Sequence, residues 1–219
     1  MKEYFINLKR LYTKHYAESK AKHLAILFGA FAVPLLVAVL SADSTVAVGT
    51  SSVVMLVALG FVVDLSTRAM WRREQTTLAF TLPVSVFERY SFILLNTLVW
   101  CVVLNYAAIH PSLEIADRLY PHNMPDEWVA RYLFCDDLSS WVGLISTATI
   151  FVLVVLNSRL KPIVSVVIAF AVVWAVQFLL SEIFDAEERE AVLVVVNFAF
   201  IAVAWVVGYF MLKKFEYKS

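Results

Sequence analysis

Six long apolar runs constrain this chain more than any other feature of its sequence. They cover roughly residues 24–40, 46–63, 90–109, 139–156, 162–181 and 191–212. Each approaches the length of about 17–25 residues that an α-helix needs to cross a bilayer. The fourth is the shortest, its fully apolar part being Trp141–Leu156, and it needs residues from 139 onward to complete a crossing. Valine is abundant in these runs, as in Val152-Leu153-Val154-Val155, and in water that would favour strands. In lipid every backbone group must bond within its own segment, so a continuous run becomes a helix. A barrel would need alternating segments of about ten residues, and these runs do not alternate. Composition agrees: 61% of the 219 residues are hydrophobic, against about 45–50% in soluble domains. The expected fold is all-α, a single polytopic domain over residues 1–219 with six transmembrane helices.

Lys and Arg set the orientation. The segment before the first run holds Lys2, Lys9, Arg10, Lys14, Lys20 and Lys22. The connection between the second and third holds Arg68, Arg72, Arg73 and Arg89, the turn before the fifth Arg159 and Lys161, and the tail Lys213, Lys214 and Lys218. The alternate connections hold only Arg118, Arg131 and Arg189 among the 18 basic residues. The positive-inside rule therefore puts both termini in the cytosol. Acidic residues run the opposite way, with Asp43, Glu114, Asp117, Asp126, Glu127, Asp136, Asp137 and the cluster Glu182–Glu190 outside. A missed or additional span would break this alternation.

Two segments outside the runs carry structure of their own. In 2–18, Tyr4, Phe5, Leu8, Leu11 and Tyr12 recur at three- and four-residue spacing, with Lys9, Arg10 and Lys14 mostly off that stripe. This predicts an amphipathic interfacial helix on the inner leaflet. The outer 110–138 loop, with Pro111, Pro121 and Pro125 among Tyr120, Trp128, Tyr132 and Phe134, predicts short extracytoplasmic helices. Cys101 lies in an apolar run and Cys135 in a polar loop, so they sit at different depths and no disulfide is expected. The first run follows a long charged segment with no small-residue cleavage site and reads as a retained span.

The five glycines, Gly29, Gly49, Gly60, Gly143 and Gly208, form no G-x-x-x-x-G-K-[ST] loop, so ATP hydrolysis by that route is not expected in this chain. Neither H-E-x-x-H nor G-x-S-x-G occurs. His15, His23, His110 and His122 are scattered. His110 and His122 share a loop with Glu114 and Asp117, but the spacing matches no ligand pattern, and the loop reads as a solvated acidic surface rather than a metal site. Asp64 and Arg68 are four residues apart near the cytosolic end of the second run. They read as an interfacial pair in preference to part of a conduction path. Asn96, Asn105, Gln177 and Asn197 fall within or close to the runs, and helix-to-helix hydrogen bonding outweighs cavity lining as their role. No catalytic group, cofactor, metal or nucleic-acid site is expected.

The cytosolic segment 68–89, RAMWRREQTTLAFTLPVSVFER, is long for a connection between neighbouring spans. Pro83 interrupts it, and Ser85 can cap a following helix in a box with Glu88. It reads either as an anchor with Trp71 at headgroups and arginines at phosphates, or as a short amphipathic helix that accepts a partner protein.

The stretch Thr81–Tyr90, TLPVSVFERY, resembles an LPxSxxEKF signature of small six-span permease-like proteins in the type 2 ABC transporter superfamily, especially from Bacteroidetes-like bacteria. Leu82, Pro83, Ser85, Glu88 and Arg89 carry the match, with Tyr90 in place of Phe. Gly208-Tyr209-Phe210, followed by Lys213, Lys214 and Phe215, resembles the last span and tail of those proteins, and the N-terminal amphipathic helix matches as well. As a motif the resemblance covers about ten residues; as a topology, nearly the whole chain. It implies a bacterial inner-membrane permease subunit that dimerises, or pairs with a similar permease, and works with a separate ABC-type ATPase subunit. It implies that Arg72–Arg89 contains the helix docking on that ATPase, with Arg72, Arg73, Glu74, Leu82, Pro83, Ser85, Phe87, Glu88 and Arg89 as the partner-binding residues. Export of a small amphipathic molecule, peptide or lipid is the implied transport. The sparse polar lining motivates the alternative of a non-transporting membrane sensor, assembly or stability factor.

Overall fold

The computed structural model describes residues 2–71, 85–120, 138–158 and 186–216, together with 164, 167–168, 171–172, 175 and 178–179. Among the described residues the chain is helical, with no strand. The elements are α1 (Lys2–Ser41), α2 (Ser44–Trp71), α3 (Val86–Leu104), a π-helical turn (Asn105–Ile109), α4 (His110–Leu119), α5 (Leu138–Ser158) and α6 (Ala186–Glu216). Four stretches are long and apolar enough to cross a membrane: Glu3–Ser41, Ser44–Thr67, Val86–Leu119 and Ala191–Lys214. They make this a membrane protein, and their surfaces agree. Phe28 is 72% exposed and Leu40 85%, which water would penalise and lipid tails would not.

α1 and α2 form an antiparallel hairpin closed by a two-residue turn. Ala42 takes the left-handed φ of 53°, the usual way to end a helix. The Asp43 backbone N–H then donates to Ala38 O at 3.3 Å. The Asp43 carboxylate accepts from the Thr45 backbone N–H at 2.8 Å, starting α2 as a helix cap does. Residue Ser85 starts α3 in the same manner, described below. α5 and α6 pack along each other. The central element is α3, which touches α1, α2, α5 and α6. The apolar window of Val86–Leu119 is 56% buried, against 17% for the windows on α1 and α6.

The turn between α3 and α4 follows from Pro111. A proline has no N–H to give and its ring crowds the carbonyl four residues back. Widening the helix by one residue relieves this. The His110 backbone N–H accordingly bonds Asn105 O. The expected short helix in the outer loop is therefore present over 110–119, but as a continuation of the third apolar run. The remainder of that loop, 121–137, lies outside the described residues.

The N-terminal segment differs from its expectation. Lys2–Ser41 is one helix of 40 residues running through Pro34, about 60 Å long at 1.5 Å per residue. There is no separate helix over 2–18 ahead of a span over 24–40. Of the stripe, Leu8, Leu11 and Tyr12 are half-buried against the protein core, with Asn7, Ser19 and His23 buried beside them, while Phe5 is 62% exposed. Asn7 donates to Glu88 and His23 stacks on Trp100, both on α3, contacts that a lipid surface would not offer.

This packing sets the level of α1 against the rest. Two parallel helices crossing one slab would bring Leu24 beside Tyr90, where their apolar runs begin. Instead Asn7 bonds Glu88 and Tyr16 bonds Asn96, so Lys9 is the α1 residue nearest the level of Tyr90. α1 is thus shifted along α3 by about 15 residues, roughly 22 Å. α5 and α6 do align with α3. Tyr106 stacks on Trp141 at 6.0 Å, and Tyr90 Oη donates to Ala204 O at 3.5 Å.

Candidate functional site

The described part of the resemblance motif begins at Ser85, in extended backbone (φ −69°, ψ 159°) at the N-cap of α3. The Glu88 backbone N–H donates to Ser85 Oγ at 3.2 Å, and the Ser85 backbone N–H donates to Glu88 Oε2 at 2.7 Å. The capping box anticipated for this pair forms, satisfying two helix-end donors. The other oxygen of the carboxylate, Oε1, accepts from the Asn7 side-chain amide at 3.0 Å across 81 residues. One carboxylate thus starts α3 and grips α1.

The remaining motif residues separate by environment. Glu88 is buried, Phe87 is 57% exposed, Ser85 is exposed and Arg89 half-buried. Phe87 lies against Tyr4 and Tyr209 with centroids at 6.0 and 6.3 Å. Arg72, Arg73, Glu74, Leu82 and Pro83 lie outside the described residues. So does Gln177, and so does the side chain of Arg68, hence the expected Asp64–Arg68 pair. Burial makes Glu88 an internal tie, while Ser85 and Phe87 are exposed.

The last-span motif has a packing reason. A Cβ at position 208 would collide with the Tyr90 ring and hydroxyl, so Gly208 lets α6 close on α3. Tyr209 adds a ring contact to Tyr90 at 6.3 Å.

Further along α3 a polar chain joins three helices. Trp100 Nε1–H donates to Tyr16 Oη at 2.7 Å, Tyr16 O–H to Asn96 Oδ1 at 3.1 Å, and Asn96 Nδ2–H to Ser66 Oγ at 2.7 Å. Ser66 in turn donates to Val62 O at 2.9 Å. Each donor points the same way along the chain, an arrangement in which bonds polarise one another. Asn96 therefore holds helices together. Asn105 is buried in the π-helical turn, and Asn197 is half-buried on α6.

His15 and His23, distant by a sequence reading, share this neighbourhood. Their ring centroids are 5.0 Å apart. His23 stacks on Trp100 at 4.7 Å, and His15 meets Phe92 edge-on at 5.2 Å. His23 Nδ1 lies 3.0 Å from Ser19 O. A carbonyl only accepts, so Nδ1 carries the proton and Nε2 is left as a lone pair. Both Nε2 atoms are buried with no hydrogen-bond partner. The spacing His15, Ser19, His23, every fourth residue, was the available sign that these side chains share a helix face.

Elsewhere, His110 Nδ1 sits 3.7 Å from Glu114 Oε1, and His122 lies outside the described residues. Among the described residues no three of His, Cys, Asp and Glu come together. A shallow apolar crevice between α3, α5 and α6, lined by Leu94, Thr97, Leu98, Thr149, Val152 and Trp205, is too narrow for a water molecule.

No protein-family model matches this chain, and no curated protein or solved structure matches it either. The geometry stands by itself as a helix-start motif tied to α1, above an interhelical polar chain.

Proposed function

We propose that the chain is the membrane-spanning subunit of an ATP-driven transporter, working as a pair of permease chains with a separate ATP-hydrolysing subunit. It sits in a bacterial inner membrane with six crossings and both ends in the cytosol. Residues 139–156 make the fourth crossing and 162–181 the fifth. The described residues of the fifth, 164, 167, 168, 171, 172, 175, 178 and 179, are helical and exposed, which suits a lipid-facing stripe. The basic segment before Ser85 faces the cytosol by the positive-inside rule and is the docking surface.

The observation that carries this reading is the Ser85–Glu88–Asn7 tie. It belongs to the stretch that resembles the permease signature: one carboxylate accepts a charge-assisted hydrogen bond from the Ser85 backbone at the start of α3 and a second, buried one from Asn7 on α1. A force applied to the segment before Ser85 reaches two helices at once, as a subunit driven from the cytosol requires.

The test is purification of the tagged chain from its native membrane in mild detergent. An ATP-hydrolysing subunit is expected to accompany it. Arg73→Glu is expected to release that subunit and leave the chain's own melting unchanged. Glu88 is a poor probe of docking because its loss would unpick the helix start. A monomer with no ATPase, in a detergent that preserves other assemblies, would sink the proposal. It would favour a non-transporting membrane factor, a reading that the mutually satisfied Trp100–Tyr16–Asn96–Ser66 chain also suits.

A further inference from the structure

α1 carries two histidines whose rings face α3 rather than solvent. His15 and His23 precede the apolar run 24–40, on its cytosolic side in the topology proposed above. Their ring centroids lie 5.0 Å apart, against Phe92 and Trp100 of α3. His23 is 2% exposed. Its Nδ1–H donates to Ser19 O at 3.0 Å, so its Nε2 presents a lone pair. The Nε2 atoms of both rings are buried without a hydrogen-bond partner, and polar atoms left so between packed helices are uncommon.

A proton added to either ring makes an Nε2–H with no partner to accept it and puts a cation out of water. The face of Trp100 attracts an imidazolium at His23, but a second proton on His15 sets two cations side by side. The neighbouring groups are mostly neutral. Burial pushes the Tyr12 and Tyr16 hydroxyls above their usual range, and Phe92, Asn96 and Trp100 on α3 do not titrate. On α1 itself Lys14 is half-buried, and Glu18, Lys20 and Lys22 are exposed. On α2, Ser66 reaches this level through its bond with Asn96, and Asp64, two residues before it, is half-buried.

We infer that the His15–His23 pair is an acid-operated latch, holding α1 on α3 while both rings are neutral and releasing that stretch of α1 when they take up protons. A histidine in water titrates near 6.5, and burial holds both of these below that range. The released helix therefore binds protons that the packed one refuses. The contact has its full strength above about pH 6.5 and loses it as the pH falls, by about tenfold per histidine in the first unit below. The Glu88–Asn7 tie does not respond over this interval. Burial works to raise that carboxyl, but hydrogen bonds from Ser85 and Asn7 hold it below its usual range.

The test uses the full chain in nanodiscs, with Cys101→Ala and Cys135→Ser as background and a water-soluble methanethiosulfonate as probe. Ser19→Cys puts a thiol on the buried face between the two histidines, and Ala17→Cys puts one on the exposed face. The ratio of their labelling rates at each pH cancels the titration of the thiol. From pH 7.5 to 5.5 this ratio is expected to rise about tenfold or more. With His15→Gln and His23→Gln it is expected to stay at its pH 7.5 value, while Asp64→Asn leaves the rise intact. A constant ratio in the parent chain would overturn the latch. So would a rise that survives the loss of both histidines, or one that disappears with Asp64→Asn. If the double variant labels fast at both pH values, its α1 no longer packs, and ring carbon NMR of the chain with His110→Gln and His122→Gln decides. Both remaining histidines are then expected to titrate well below about 6.5, and midpoints at that value would overturn the latch. None of these readouts needs an ATPase, so failure here is distinct from failure to copurify one.

Discussion

Gly208 and Ala42 are the residues whose backbones matter most, for opposite reasons. Gly208 is small because Tyr90 occupies the space above it. Gly208→Ala forces the tyrosine or α6 to shift, and overpacking of this kind costs about 1–3 kcal/mol. A lowered melting temperature in detergent is expected, with partial recovery in Gly208→Ala, Tyr90→Leu. Ala42 holds a left-handed φ that glycine adopts without a Cβ penalty. Ala42→Gly is expected to raise stability by about 0.5–1 kcal/mol, the penalty at the turn exceeding the entropy that glycine adds to the unfolded chain. Asn96→Leu removes the acceptor of Tyr16 and the donor to Ser66, and interhelical bonds in membranes average about 0.6 kcal/mol. A loss near 1 kcal/mol is expected from the two together, and a loss below the measurement error would show that the polar chain contributes nothing.

At the scale of elements, the pairing of α1 with α3 separates this structure from the layout its sequence suggests. An amphipathic stripe over 2–18 is readable in the sequence, but not what it lies against. Leaflet and helix α3 both present apolar surface, and only α3 also offers Glu88, Asn96 and Trp100 to Asn7 and Tyr16. The check is Tyr12→Cys with Phe92→Cys, whose rings meet at 4.9 Å across α1 and α3, and a short bis-methanethiosulfonate linker. An intramolecular cross-link is expected, whereas a helix lying on the leaflet would leave the pair unlinked. The start of α3 is the contrasting case. Its box is local, two side chains three residues apart, so Ser85 and Glu88 were legible as a cap without any tertiary information. Ser85→Ala is expected to cost about 1 kcal/mol through that cap, while Glu88→Ala costs more because it also releases Asn7.

For the whole molecule, the long apolar helices give the membrane assignment, and they follow from composition and run length. The stagger between α1 and the α3–α5–α6 belt does not, because hydropathy locates each run separately and carries no information on how two helices slide past one another. The expected docking set also divides only once packed. Glu88 turns inward and Phe87 outward, though the two are adjacent in the sequence and equally plausible as contacts there.

What the sequence determines by itself is local or solvent-driven: helices from long apolar runs that lipid cannot leave unbonded, and a cap from Ser85 and Glu88. What tertiary structure decides is register. Asn7 and Tyr16 on α1 take the sliding position along α3 at which Glu88, Asn96 and Trp100 give them partners. That choice brings His15, His23 and Trp100 together.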